Sequence, residues 1–423
     1  MTARPAARRL VQPLRDFLQT EASGGIVLFG ATLVALVWSN SPFESSYFRL
    51  WETNLAVNLG DWVVERDLRH WVNEGLMTLF FFVVALEIKR ELVHGELSDM
   101  KRAALPVVAA LGGMAVPAGI YTLMNVGGEG LPGWGIPMAT DIAFALGVLA
   151  LVAPRIPQPA KLFLLSVAIA DDIGAIIVIA LGYAGGIEFG PLFAAAGLLG
   201  TMVLLRMSGF RGHPVFVILG TGVWLTTLGS GLHATIAGVA VAFITPTVAY
   251  GGDEGLLVDL VRRLRGEADP KTVRATVSQA RDTVSVAERL EEALHPWSSF
   301  LIVPVFALAN AGVSLNAAAV EEAIGSRVAL GVVAGLVLGK VAGICGAAFL
   351  AVRAGIGTLP TGTAWPTMVG LGLLGGVGFT VSLFIADLAF EGRLTETAKI
   401  GVVAASALAG VLGAVVIRRS IRS

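Results

Sequence analysis

Apolar residues run in long blocks along this chain, not in the short stripes of a soluble protein. Twelve blocks lie at about 15–38, 71–88, 103–124, 131–153, 160–183, 187–206, 213–227, 231–246, 296–313, 328–352, 364–388 and 396–417. Most approach the roughly 20 residues of a helix that spans a bilayer. The pattern predicts an all-α membrane protein with twelve transmembrane helices, a single polytopic domain over 1–423. The only sizeable polar stretch is 249–295, read as a cytoplasmic loop. Within it Val273, Val277, Ala280, Val284, Ala287, Leu290 and Leu294 recur at spacings of three and four, the mark of an amphipathic helix. Its polar face carries Glu288, Glu291 and Glu292, which suits either a solvated helix or a regulatory lever. The connection 39–70 alternates weakly through YFRLWETNLAVNLGDW, a hairpin signal. It is either an ordinary surface loop or an edge that pairs with a second protomer.

Composition agrees with the blocks. The chain is 55% hydrophobic and 14% charged, with mean hydropathy +0.77, so the lipid bilayer is its solvent. A single cysteine, Cys345, excludes a disulfide framework or a cysteine zinc site within one chain. No basic stripe with interleaved aromatics suggests a nucleic-acid partner, and no motif calls for a cofactor or an enzyme. The N-terminus is basic (Arg4, Arg8, Arg9 and Arg15) and its first apolar run begins only near Gly24, with no early apolar run and cleavage site, so no cleaved signal peptide is expected. Twelve spans place both termini on one side. With that side cytoplasmic, only Arg49, Arg66, Arg69, Arg327, Arg393 and Lys399 fall outside and Lys340 lies in the membrane, as the positive-inside rule favours.

Candidate chemistry centres on Leu162–Leu181, LFLLSVAIADDIGAIIVIAL. Each Asp at a helix centre costs about 2.5–3.5 kcal/mol on insertion scales, so Asp171 and Asp172 together cost roughly 5–7 kcal/mol. Neighbours on a helix point about 100° apart, so one carboxylate can meet a cation while the other meets a protein partner. Lys340 sits deep in the tenth block, beside the stripe Gly331, Gly335, Gly339 and Gly343. It needs a buried carboxylate, and Asp141, Asp171 and Asp172 all qualify. Gly133, Gly135 and Pro137 weaken the fourth block just before Thr140 and Asp141. Gly375, Gly376 and Gly378 do the same in the eleventh. Segments 3–5 and 10–12 then read as two inverted repeats with discontinuous helices 4 and 11, and Asp141 and Lys340 neutralise the half-helix ends. Glu87, Arg90 and Glu91 share a helix face at the end of segment two, as orientation charge or as a titrating cluster. His233 is either a hydrogen-bonded structural residue or a titrating one. Asn310 needs an interhelical hydrogen bond.

The strings GWGIPMATDIAFALGVLALV, FLLSVAIADDIGAIIVIAL, LGSGLHATIAG, LHPWSSFLIVPVFALANAGVSL, GLVLGKVAGI and LLGGVGFTVSLFI, in this order, resemble the NhaA-type bacterial Na+/H+ antiporter family. The resemblance runs from about Arg15 to Arg418. It implies a multi-pass protein of the bacterial inner membrane with a cytoplasmic N-terminus, and a homodimer joined partly through the external loop 39–70. It implies that Asp171 and Asp172 bind Na+ and carry protons, with Thr140 and Asp141 at the helix-four crossing and Lys340 paired to Asp171. Glu87, Arg90, Glu91 and Glu291 match positions linked to pH response, and His233 matches one that affects it. Glu288 and Glu292 depart from the family, standing where basic or His residues are expected. The expected activity is electrogenic, pH-regulated export of Na+, and of Li+, against protons by alternating access. The rivals are another sodium-coupled transporter of the same fold and a cation channel. An intramembrane aspartyl protease is disfavoured, because its dyad comes from separate helices and its GxGD motif is absent.

Overall fold

Residues 23–59, 62–210, 213–247 and 284–422 are described by a computed structural model. The basic N-terminal arginines, the start of the first block, and Val273, Val277 and Ala280 of the amphipathic pattern lie outside the described residues. In chain order come α1 (Ser23–Ser39), α2 (Glu44–Trp51), β1 (Asn54–Leu59), β2 (Trp62–Asp67), α3 (Met77–Val93) and α4 (Met100–Asn125). A 3-10 helix at Leu131–Met138 leads to α5 (Ile142–Val152), then α6 (Gln158–Gly182), α7 (Phe189–Met207), α8 (His213–Leu228) and α9 (Thr235–Ile244). After 284 follow α10 (Val286–Trp297), α11 (Val303–Asn310), α12 (Ala317–Gly325) and α13 (Arg327–Arg353), the last with a π-helical turn at Ala334–Gly339. The chain ends with α14 (Trp365–Leu374), α15 (Phe379–Ala389) and α16 (Arg393–Arg422). Among the described residues seven helices are long and apolar enough to cross a membrane, or nine if each of two bent pairs is one span. Those pairs are α1 with α2, bent by 116°, and α14 with α15, bent by 46°.

The chain divides into two units. The first holds Met1–Met77, Asp99–Gly185 and Ser299–Ser423. Its centre is the packing of α4 on α13, and the glycine stripe explains it. A Cβ at Gly343 would strike the Gly112 carbonyl, one at Gly339 would meet Pro117, and one at Gly335 would meet Pro137. Small residues let the two backbones approach and gain dispersion contacts that lipid cannot offer. Helix α6 joins them through Gly174, where a Cβ would collide with the Met114 sulfur. Leu105, Phe163, Val167, Ile344 and Leu371 fill the core between these helices and α14. In the connection 39–70, β1 and β2 form an antiparallel hairpin with Asn54 opposite Asp67 and Leu59 opposite Trp62. Trp71 Nε1 ties it down by donating to the Leu55 carbonyl at 3.0 Å.

The second unit holds Thr78–Ser98 and Gly186–Ser298. Met202, Val223 and Ala237 join α7, α8 and α9 in a small core. Lys89 Nζ donates to the carbonyls of Phe243 at 2.6 Å and Thr245 at 2.5 Å, and Arg206 to that of Ile244 at 2.6 Å. Two cations thus satisfy the orphan carbonyls and the negative dipole end of α9. Helix α10 begins with a capping box: Ser285 Oγ accepts from Glu288 N, and the Glu288 carboxylate accepts from Ser285 N. Glu288 therefore serves its own helix start, a local reason for an acid at this position.

Candidate functional site

In the first unit two interruptions of helical structure meet. Residues Ala139–Asp141 are non-helical between the 3-10 helix and α5, and Gly375–Gly378 separate α14 from α15. Asp141 N donates to the Val377 carbonyl at 2.6 Å, joining the two segments directly. Glycine is required at Gly376, where a Cβ would collide with the Leu336 carbonyl of α13.

Asp141 caps both following helices. One oxygen accepts from Phe144 N at 2.9 Å in the first turn of α5. The other accepts from Thr380 N at 3.1 Å and Thr380 Oγ1 at 2.7 Å in the first turn of α15. One carboxylate thus meets two positive dipole ends and satisfies orphan N–H donors of both. The carbonyl ends of the preceding helices are met by hydroxyls: Ser382 Oγ donates to Ile136 O at 2.7 Å, and Thr140 Oγ1 lies 2.7 Å from Gly375 O.

Asp171 and Asp172 lie at the middle of α6, both buried. Lys340, completely buried, donates to Asp171 Oδ2. Thr140 Oγ1 lies 2.7 Å from the same oxygen. The other oxygen, Asp171 Oδ1, is buried with no hydrogen-bond partner among the described residues. The structure therefore brings Thr140, Asp171 and Lys340 into direct contact, with Asp172 adjacent in the chain. Residue position alone leaves three carboxylates open as the partner of Lys340, and the resemblance points to Asp171; Asp141 is occupied by the helix ends, and Asp171 takes the ammonium.

Thr140 also poses a proton-counting problem. Its hydroxyl has one hydrogen and stands 2.7 Å from two oxygens, Asp171 Oδ2 and Gly375 O. With Asp171 charged, the hydrogen serves the carboxylate or the carbonyl, not both. With Asp171 protonated on Oδ2, the acid donates to Thr140 and Thr140 donates to Gly375 O. Thr140 thus links Asp171, which also takes the Lys340 ammonium, to the turn between α14 and α15.

The second unit holds the other candidates. Arg90 bridges Glu291, at 2.6 Å, and Glu91, at 3.4 Å. Glu87 sits in the electrostatic field of Glu291, Arg90 and Glu91. Glu91 Oε2 also accepts from Glu96 N at 3.1 Å, closing the turn after α3. The amphipathic helix α10 thus brings Glu291 to the Glu87–Arg90–Glu91 face. His233 is half-buried in the turn before α9, where its carbonyl accepts from Ile236 N.

Three residues of the first unit that make buried or partly buried polar contacts carry little signal in the sequence. Thr380 follows a glycine-rich stretch and acquires its partner only when α15 meets Asp141. Asp387 and Lys399, near the ends of their apolar blocks, form an ion pair at 2.6 Å. Lys399, expected as an external charge, is buried.

Interrupted helices stitched by one Asp, beside a buried Asp–Lys pair, invite comparison with known proteins. The family model for Na+/H+ antiporter 1 matches residues 15–417. The chain belongs to this family. It is 45% identical over 435 aligned residues, 100% of this chain and 93% of the relative, to "Na(+)/H(+) antiporter NhaA 2" of Sorangium cellulosum (strain So ce56). It is 44% identical to "Na(+)/H(+) antiporter NhaA" of Rhodopirellula baltica (strain DSM 10527 / NCIMB 13988 / SH1), over 96% of this chain and 93% of the relative. It is also 44% identical to "Na(+)/H(+) antiporter NhaA" of Oleidesulfovibrio alaskensis (strain ATCC BAA-1058 / DSM 17464 / G20), over 98% of this chain and 95% of the relative. As a member of the Na+/H+ antiporter 1 family, the chain is a multi-pass membrane protein.

Proposed function

We propose that this protein is an electrogenic sodium/proton antiporter of the bacterial inner membrane, exporting Na+ and Li+ in exchange for extracytoplasmic protons. It is a transporter without a cofactor, and the ions are its cargo. The observation that carries the reading is the state of Asp171: one oxygen held by Lys340 and Thr140, the other buried and open, with Asp172 beside it. Na+ is a hard cation that takes oxygen ligands, and the two carboxylates with Thr140 Oγ1 offer such a set. Protons and Na+ compete for the same oxygens. Electrogenic exchange requires that more protons than cations move in each cycle. Raised cytoplasmic pH empties the site of protons and lets Na+ load. The inward proton gradient then drives Na+ out.

The architecture we assign is twelve spans with both termini cytoplasmic. Segments 3–5 and 10–12 form two inverted repeats, with interrupted members at 131–152 and 365–389, and the site opens alternately to each side. Supporting this are the non-helical stretches at Ala139–Asp141 and Gly375–Gly378, held together through Asp141. The charged face of Glu87, Arg90, Glu91 and Glu291 is assigned to pH regulation, with His233 contributing. The hairpin 54–67 joins two protomers in a homodimer, because a two-stranded hairpin leaves both edges unpaired and is marginal alone.

Proteoliposomes with an imposed pH gradient test the activity. Addition of Na+ or Li+, not K+, is expected to dissipate the gradient, faster when valinomycin and K+ clamp the membrane potential. The apparent KM for Na+ should rise as pH falls, by up to about tenfold per unit, at constant Vmax. A Na+ conductance that moves no protons would establish the channel reading instead. Thr140→Val keeps the shape and removes the hydroxyl, and is expected to raise KM for Na+ about tenfold, the worth of a hydrogen bond to a charged group. Thr140→Ser should retain wild-type KM; an unchanged KM in the Val variant removes Thr140 from the site.

A further inference from the structure

A further ion pair lies in the first unit, its Lys399 buried and its Asp387 half-buried. Lys399 of α16 meets Asp387 Oδ1 of α15 at 2.6 Å and donates to Asn310 Oδ1 of α11 at 3.4 Å. Asn73, in the π-helical turn Trp71–Leu76, donates to Asp387 Oδ2 at 3.3 Å. Asn310 Nδ2 donates to Asn73 Oδ1 at 2.8 Å, so the two amides lock one another. Four side chains from four separate elements thus converge. Arg69, Glu396 and Tyr47 complete the charged and titratable surroundings, Arg69 and Glu396 acting on Lys399, and Arg69 and Asp387 on Tyr47.

Such an arrangement is poor as a source of stability, since apolar residues of similar volume often serve as well. Its strength is directional: the ammonium and both amides are satisfied together in one placement of α15. What α15 carries makes that placement matter. Thr380 and Asp387 are seven residues apart, two turns and about 10 Å along one helical face. Thr380 is the residue that binds Asp141. The turn preceding α15 supplies Val377 O to Asp141 N and Gly375 O to Thr140, whose hydroxyl touches Asp171. A shift of α15 along its axis therefore reaches both carboxylates of the crossing.

We propose that Asp387 and Lys399, with Asn73 and Asn310, form a positioning latch on α15 that sets the cation affinity of the carboxylate site two helical turns away. The latch rests on the antiport reading. It acts through α15 and touches no transported ion. The two charges are not equivalent: Lys399 has side-chain exposure of 6%, against 16% for Asp387, which also keeps the Asn73 donor. Asp387→Asn strands a buried ammonium and should lower the thermal midpoint more than Lys399→Met does.

The deciding variant is the double Asp387→Asn/Lys399→Met, which removes both charges and leaves neither stranded. It is expected to recover the thermal midpoint and Vmax of wild type in proteoliposomes, with KM for Na+ changed about threefold or more. A purely structural pair gives wild-type KM once stability is restored, and that result overturns the latch. If the double variant does not fold, Lys399→Arg preserves the charge and displaces its donors. A shifted KM in that variant supports the latch, and wild-type KM refutes it. Failure of the wild-type protein itself to exchange Na+ for protons counts against the antiport reading; exchange by wild type with unchanged KM in the variants counts against the latch alone.

Discussion

Asp172→Asn is expected to abolish Na+-driven proton movement in proteoliposomes, lowering the rate by about 100-fold or more. Outer contacts of a metal ligand already cost 10–100-fold in affinity when lost, and a ligating carboxylate must cost at least as much. The reasoning rests on the division of labour along α6. Asp171 spends one oxygen on Lys340 and Thr140, and its charge is partly matched by the ammonium. Asp172, one residue on and buried at 4% exposure, brings a second carboxylate to the same point of α6. Asn preserves volume and hydrogen-bonding shape, so the variant should fold with a near-wild-type thermal midpoint. It removes the carboxylate charge and the oxygen that a proton and Na+ would share. The measurement is quenching of a pH-sensitive dye on Na+ addition, with thermal unfolding in detergent as the control. Exchange at the wild-type rate would falsify the assignment of Asp172 as the essential ligand.

Lys340→Ala carries the largest expected effect on stability. Lys340 and Asp171 are both fully buried, and removal of one partner leaves an uncompensated carboxylate at the centre of α6. Breaking a buried pair in this way costs about 3–5 kcal/mol. The lysine stem, which runs alongside Gly113 of α4, also leaves a void. The double variant Lys340→Ala/Asp171→Asn removes the stranded charge and should recover part of the loss, a non-additivity that identifies the pair. Any exchange that survives in Lys340→Ala should lose its response to membrane potential, because the site has lost the Lys340 charge. A variant with the wild-type thermal midpoint and voltage-responsive exchange would exclude the ion pair from both roles.

Several parts of this picture are legible in the sequence because their cost is local. Asp171–Asp172 and Lys340 stand out since each sits far inside an apolar block, whatever the rest of the chain does. The Gly331–Gly343 stripe announces a close helix contact from spacing alone, and α4 is the helix that fills it. The weak alternation in 47–62 signals a hairpin, which the chain forms from Asn54 on, while Tyr47–Trp51 are helical. The glycines at 375–378 mark the end of α14, since several together withdraw the propensity to continue a helix.

Partner identity is another matter, because it depends on which helices become neighbours. Position and burial in the sequence do not separate Asp141 from Asp171 as the mate of Lys340; only the family resemblance points to Asp171. The tertiary structure separates them by placing the first turns of α5 and α15 on Asp141, which leaves Asp171 for the ammonium. Asp387 and Lys399 stay inconspicuous in the chain, for a charge near the end of an apolar block can reach toward water. Only the approach of Asn73 and Asn310, from elements hundreds of residues apart, makes the pair a closed cluster. Sequence by itself marked Asp171, Asp172 and Lys340 as charges to be buried at a cost, since each lies deep inside an apolar block, and it did not mark Lys399. The tertiary structure decided which charge answers which, since a hydrogen bond needs two groups in contact and contact is a property of the packed helices.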